Sequence, residues 1–93
     1  DTFTLWTDVL QYLGEFDTAI EILLEACNVL PDEYEMEYRL AGLYFLTDDV
    51  TKGNLHLING MKLEPKHLSL FQELFPVVWE RTEVQKTIMK FKK

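Results

Sequence analysis

A single cysteine, Cys27, rules out an internal disulfide and fits a reducing compartment. It lies in an apolar stretch with helical spacing and reads as a small buried hydrophobe rather than a reactive thiol. The two histidines, His56 and His67, stand far apart without a matched ligand set, so no metal site is expected. Glycine is sparse, with four residues, and no glycine-rich phosphate loop occurs. Paired acids such as Glu35 and Glu37 do not share a helix face, so they offer no acid–base pair. No apolar run approaches the roughly 18 residues of a membrane span. No charged-then-apolar leader is visible. The chain begins with Asp1 rather than Met, which reads as a piece of a longer protein. No catalysis, cofactor or metal is expected within it.

Base is scarce in the first half. Residues 1–50 carry a net −11 with Arg39 as their lone cation, whereas residues 51–93 carry +4, giving −7 overall. An acidic body argues against nucleic acid, which needs clustered Lys and Arg. Lys86, Lys90, Lys92 and Lys93 sit at the end of an expected helix, where cations offset the negative end of its dipole.

Apolar residues are plentiful at 47% of the chain, enough for one small folded domain. They recur with helical period throughout. Three prolines punctuate the pattern, and two of them, Pro31 and Pro65, lie 34 residues apart. The stretches before them align position by position: Gly14 to Ile20 with Asp48 to Asn54, and Ala26 to Pro31 with Gly60 to Pro65. A period of about 34 residues closed by proline marks a helix–turn–helix repeat.

The spacing predicts a first helix from about Thr4 to Tyr12, with Phe3, Trp6, Leu10 and Leu13 as its apolar stripe. Gly14 stops it. Asp17 is expected to cap a second helix running to about Asn28 that carries Ala19, Ile20, Leu23, Ala26 and Cys27. A third helix runs from Asp32 or Glu33 to Leu46, with Leu40, Leu43 and Tyr44 inward. After the turn at Thr47 to Asp49, a fourth runs from Val50 to Leu63, with Leu55, Leu57, Ile58 and Met61 apolar. A fifth starts near Lys66 or His67 and is kinked or broken at Pro76. Thr82 is expected to cap a last helix ending near Lys92, with Val84, Ile88 and Phe91 buried.

These residues resemble the tetratricopeptide (TPR) repeat. Ala19, Leu23, Ala26 and Pro31 fill its second-helix positions in one unit, and Gly53, Leu57, Gly60 and Pro65 fill them in the next. Leu40, Ala41 and Tyr44 carry the first-helix signature, and Trp6, Thr7 and Leu10 carry it less fully. Glu37 departs from the pattern, standing where that family has tryptophan or another large residue. Gly53 and Gly60 replace alanine, each costing about 1 kcal/mol of helix propensity. They read as sites of close packing, with a hinge as the alternative. Phe75 is too large for the small-residue site of a further unit.

The resemblance implies an all-α, right-handed superhelical stack: repeats at about 1–31 and 32–65, then a degenerate capping unit at 66–93. It implies a module that binds a protein or peptide along the concave face, which the first helix of each pair lines. Carried onto this chain, that face falls on Thr4, Asp8, Gln11 and Tyr12, then Tyr38, Arg39, Gly42, Phe45 and Leu46, then Gln72 and Trp79. Tyr12, Tyr38, Phe45 and Trp79 make an aromatic floor or pack against the neighbouring repeat. Gly42 admits a ligand backbone. Arg39 fixes a ligand carboxylate or pairs with Glu35 four residues back. The lysine and asparagine clamp by which some members hold a C-terminal carboxylate is missing, since its sites are Thr4, Asp8, Tyr38 and Gly42. The expected partner therefore carries apolar and basic side chains. The alternatives are a structural end of a longer stack, in contact with its own upstream chain or with a second copy as a homodimer, and an accessory domain of an enzyme. The cytoplasm is the compartment this reading suggests.

Overall fold

Gly14 and Asp48, one period apart, both take the left-handed backbone, with φ of 78° and 64°. Glycine adopts it without steric cost, and aspartate is among the few other residues that tolerate it. Each residue turns the chain sharply between two helices. In the computed structural model, which describes the backbone of residues 2–92 and the side chains of 5–92, these turns join α1 (Thr2–Tyr12) to α2 (Phe16–Val29) and α3 (Tyr34–Leu46) to α4 (Val50–Leu63). The readings on Phe3, Thr4 and Lys93 lie outside the described side chains.

The two hairpins repeat bond for bond. α2 and α4 begin and end 34 residues apart. The Gly14 amide donates to the Gln11 carbonyl as Asp48 does to Phe45, and Glu15 donates to Leu10 as Asp49 does to Tyr44. At the far ends, Leu30 donates to Ala26 as Glu64 does to Gly60. The 34-residue sequence period is thus a structural period.

The third unit breaks it. A short 3₁₀ turn (Pro65–His67) leads into α5 (Leu68–Leu74), and Pro76 opens a separate one-turn helix, α6 (Pro76–Trp79). Proline has no amide to donate, so α5 stops at Leu74 and restarts beyond it. α7 (Thr82–Lys92) closes the chain against α4. Its buried stripe is Val84 and Ile88 with Phe91 at the edge. Thr87 Oγ1 bonds Asn54 Oδ1 at 2.8 Å across that contact. Arg81 Nη1 donates to the Phe45 carbonyl at 2.8 Å, adding a second bond to an acceptor the Asp48 amide already uses at the end of α3. Among the described residues the fold is all helix.

Two expected caps move. α2 starts two residues early, with Glu15 at its N-cap, so Asp17 lies inside the first turn rather than at the cap. Thr82 is already helical, and the Gln85 amide donates to the Arg81 carbonyl before it. Asp49 does cap α4, accepting from the Lys52 amide.

α3 is the centre of the molecule. Every residue from Tyr38 to Phe45 is buried, because α2, α4, α5 and α6 all pack on it. α4 comes close where it lacks side chains. A Cβ on Gly60 would lie 2.7 Å from the Tyr38 ring, and one on Gly53 3.0 Å from the Phe45 ring. Both glycines are therefore packing sites for α3 aromatics, and α4 runs unbroken through them. α1 packs chiefly on α2. Its expected apolar stripe is split accordingly: Leu10 meets the core, while Trp6 and Leu13 are exposed. Leu55 of α4 is likewise exposed.

Candidate functional site

The aromatic floor read from the sequence does not form. Tyr38 and Phe45 have no accessible surface, being held between α3 and the glycine positions of α4. The Tyr38 hydroxyl donates to the Glu64 carbonyl at 3.0 Å, closing the end of α4. Burial pushes this phenol up to about 12, with the nearby Glu64 carboxylate acting in the same direction. Gly42 faces Phe75, whose ring occupies the space a Cβ there would need. The gap in the side-chain layer thus receives the third unit's own phenylalanine rather than a ligand backbone. Trp79 is half-buried against Phe71, ring centroids 6.2 Å apart. Of the four aromatics only Tyr12, 91% exposed, stands clear of the protein.

Arg39 is buried and paired with two carboxylates. Its Nη1 meets Asp8 Oδ1 at 2.5 Å and its Nε meets Glu35 Oε2 at 3.2 Å. The expected pairing with Glu35 is present, and the link to Asp8 adds a tie from α3 back to α1. With two carboxylates on one guanidinium, this spot carries net negative charge. Asp8 is half-exposed, so that charge faces solvent.

What remains open on this side is a small hollow of about 170 Å³. Gln11 and Leu46 line it from the two first helices, and residues Leu74 to Val78 line it from the break between α5 and α6. Val77 projects into solvent at its rim. Gln11 and Leu46 are among the positions read as groove residues. The residues around Pro76 are not, because the reading treated the break as a backbone feature only.

A second cluster escaped the sequence reading. His56 Nδ1 lies 2.6 Å from Glu37 Oε2, both side chains largely buried, and the imidazole stacks on Tyr44 at 5.4 Å. Glu37 thus fills a large-residue position as half of a pair. The internal repeat held the signal: one period earlier the same two positions are Phe3 and Ile22, so an apolar pair is exchanged for a polar one. Cys27 lies nearby. Burial first, and the Glu37 carboxylate second, push its thiol up to about 11, which keeps it protonated at neutral pH.

Among the described residues, no group of three or more His, Cys, Asp or Glu side chains is placed to hold a metal ion. None of their helices is long and apolar enough to cross a membrane. No protein-family model, curated protein or solved structure matches the chain.

Proposed function

We propose that the chain is a protein- or peptide-interaction module of the tetratricopeptide kind, two helix hairpins and a capping unit stacked as a right-handed superhelix. The observation that carries this reading is the 34-residue recurrence of the second-helix boundaries and the turn hydrogen bonds in the two hairpins. A stack built this way displays its first helices side by side, and such surfaces serve recognition. The binding surface we assign is the rim formed by Gln11, Tyr12 and Leu46 with Pro76 and Val77. Tyr12 supplies a large contact with a polar tip at little entropic cost. Asp8 and Glu35 beside it favour a ligand carrying lysine or arginine among apolar residues. Nucleic acid and membranes are not partners in this reading, and these residues carry no chemistry.

The test is selection of binders from a random peptide library, followed by NMR mapping on the chain. Enriched peptides are expected to combine basic and apolar residues. They should shift the amides of Gln11, Tyr12, Leu46 and Val77, and should lose binding to a Tyr12→Ala, Val77→Glu double variant that keeps its helix content. Peptides that bind the double variant equally well, or that map to the outer faces of α2 and α4, would sink the proposal.

A further inference from the structure

Leu5 and Val9 of α1 and Leu13, just past its end with its amide still donating to the Val9 carbonyl, recur every four residues, which aligns them in one stripe with Trp6 beside it. All four are more than half exposed. Asp8, paired with Arg39, and Gln11, at the hollow near Pro76, fall on a different part of the helix. One period later, Trp6 and Val9 correspond to Leu40 and Leu43, which are buried in α3. The same two repeat positions are therefore covered in the second hairpin and open in the first.

We propose that this face pairs with its own counterpart on a second copy of the chain, α1 against α1 and antiparallel. Three observations select that occupant. First, Leu5, Trp6, Val9 and Leu13 are all uncharged, so the contact itself opposes no like charges despite a net −7, and the acidic spot at Asp8 lies beside it rather than in it. Second, the stripe is self-complementary. A two-fold axis at Val9 sets Leu5 of each copy against Leu13 of the other, as an isologous contact requires. An apolar hollow of about 350 Å³ opens between Leu5, Trp6, Val9 and Leu10 and receives Leu13 of the second copy. Third, four large side chains on one stripe reach or exceed the few hundred Å² of contiguous apolar surface that a monomer ordinarily exposes. A symmetric contact built on them falls short of the roughly 600 Å² per copy at which stable interfaces begin, so the dimer expected is a weak, concentration-dependent one. This contact adjoins the rim at Tyr12, three residues on from Val9, and is read separately, by oligomeric state rather than by peptide binding.

Sedimentation equilibrium of the 93-residue chain, from micromolar to millimolar concentration, tests it. A monomer–dimer equilibrium is expected. Val9→Glu should weaken it by at least about tenfold while leaving circular dichroism unchanged. Val9→Cys, combined with Cys27→Ser, should form an interchain disulfide under mild oxidation, since the axis sets position 9 against itself. A chain that stays monomeric at every concentration overturns the proposal and leaves the face to a partner of different sequence. A dimer that survives both Val9→Glu and Leu13→Glu overturns it as well. A dimer that depends on Val9 but never crosslinks there excludes the symmetric arrangement.

Discussion

The two hairpins follow one template and live in different surroundings. Their second helices share boundaries to the residue, and their turns share hydrogen bonds. Yet α3 is enclosed by four helices while α1 leans chiefly on one. Equivalent positions therefore have opposite fates: Leu43 is buried and Val9 exposed, Phe45 fills the core and Gln11 borders solvent. The repeat fixes how the chain turns, and the neighbours fix which positions contribute to stability. The widest gap between the hairpins should appear on truncation. Leu43→Ala is expected to cost about 2–5 kcal/mol, the range for a buried leucine that leaves a cavity. Val9→Ala, measured by urea denaturation at low protein concentration, should stay within about 0.5 kcal/mol. Similar losses at both sites would mean that α1 is covered in the monomer.

A smaller difference concerns ionisation. Tyr38 lies in the enclosed hairpin, and its phenol is raised from 10.0 to about 12 by burial and by Glu64. The unfolded chain releases that proton near the ordinary value, whereas the folded chain holds it, so between the two the native state binds more protons. Stability is then full below pH 10 and falls as pH rises toward 12. Tyr44 is shifted in the same direction, by burial and by Asp49. Tyr38→Phe should flatten the alkaline decline in melting temperature, at a constant cost from the lost bond to the Glu64 carbonyl. A slope unchanged in Tyr38→Phe would assign the decline to other groups.

The periodicity made most of the backbone legible. Pro31, Pro65, Gly14 and the turn at Thr47 to Asp49 located the helices because turn and cap chemistry are local. Val50–Leu63 matches the expected helix at both ends. Pro76 marked the interruption for the same reason, leaving only the choice between kink and break. The site was less legible because exposure is not local. Tyr38, Gly42 and Phe45 share the helix that the resemblance assigns to a groove, but the chain after Pro65 packs back on α3 and sets Phe75 into the space above Gly42. Nothing in the spacing near Gly42 announces a ring arriving from more than thirty residues away. The pairing of His56 with Glu37 was hidden for a related reason, since each residue looks solvated alone and only comparison with Ile22 and Phe3 shows them changing together.

The finest difference lies at the two N-caps. Asp49 accepts the Lys52 amide and closes the first turn of α4, whereas Glu15, at the same place before α2, makes no such bond. The backbones there carry matching hydrogen bonds, so the contrast comes down to one methylene: the longer carboxylate overshoots the amide that aspartate reaches. Glu15→Asp should therefore copy the second hairpin's cap into the first, adding about 0.5–1 kcal/mol. That corresponds to roughly 3–6 °C in melting temperature for a domain of this size. Asp49→Glu should lose a similar amount, and the double exchange should come out near neutral, because the sites are far apart and independent. A loss at Asp49 without a gain at Glu15 would mean that the entry to α2 is held by something other than its cap. The place to look would then be the packing of Phe16 against the core, which the opposite hairpin replaces with an exposed Val50.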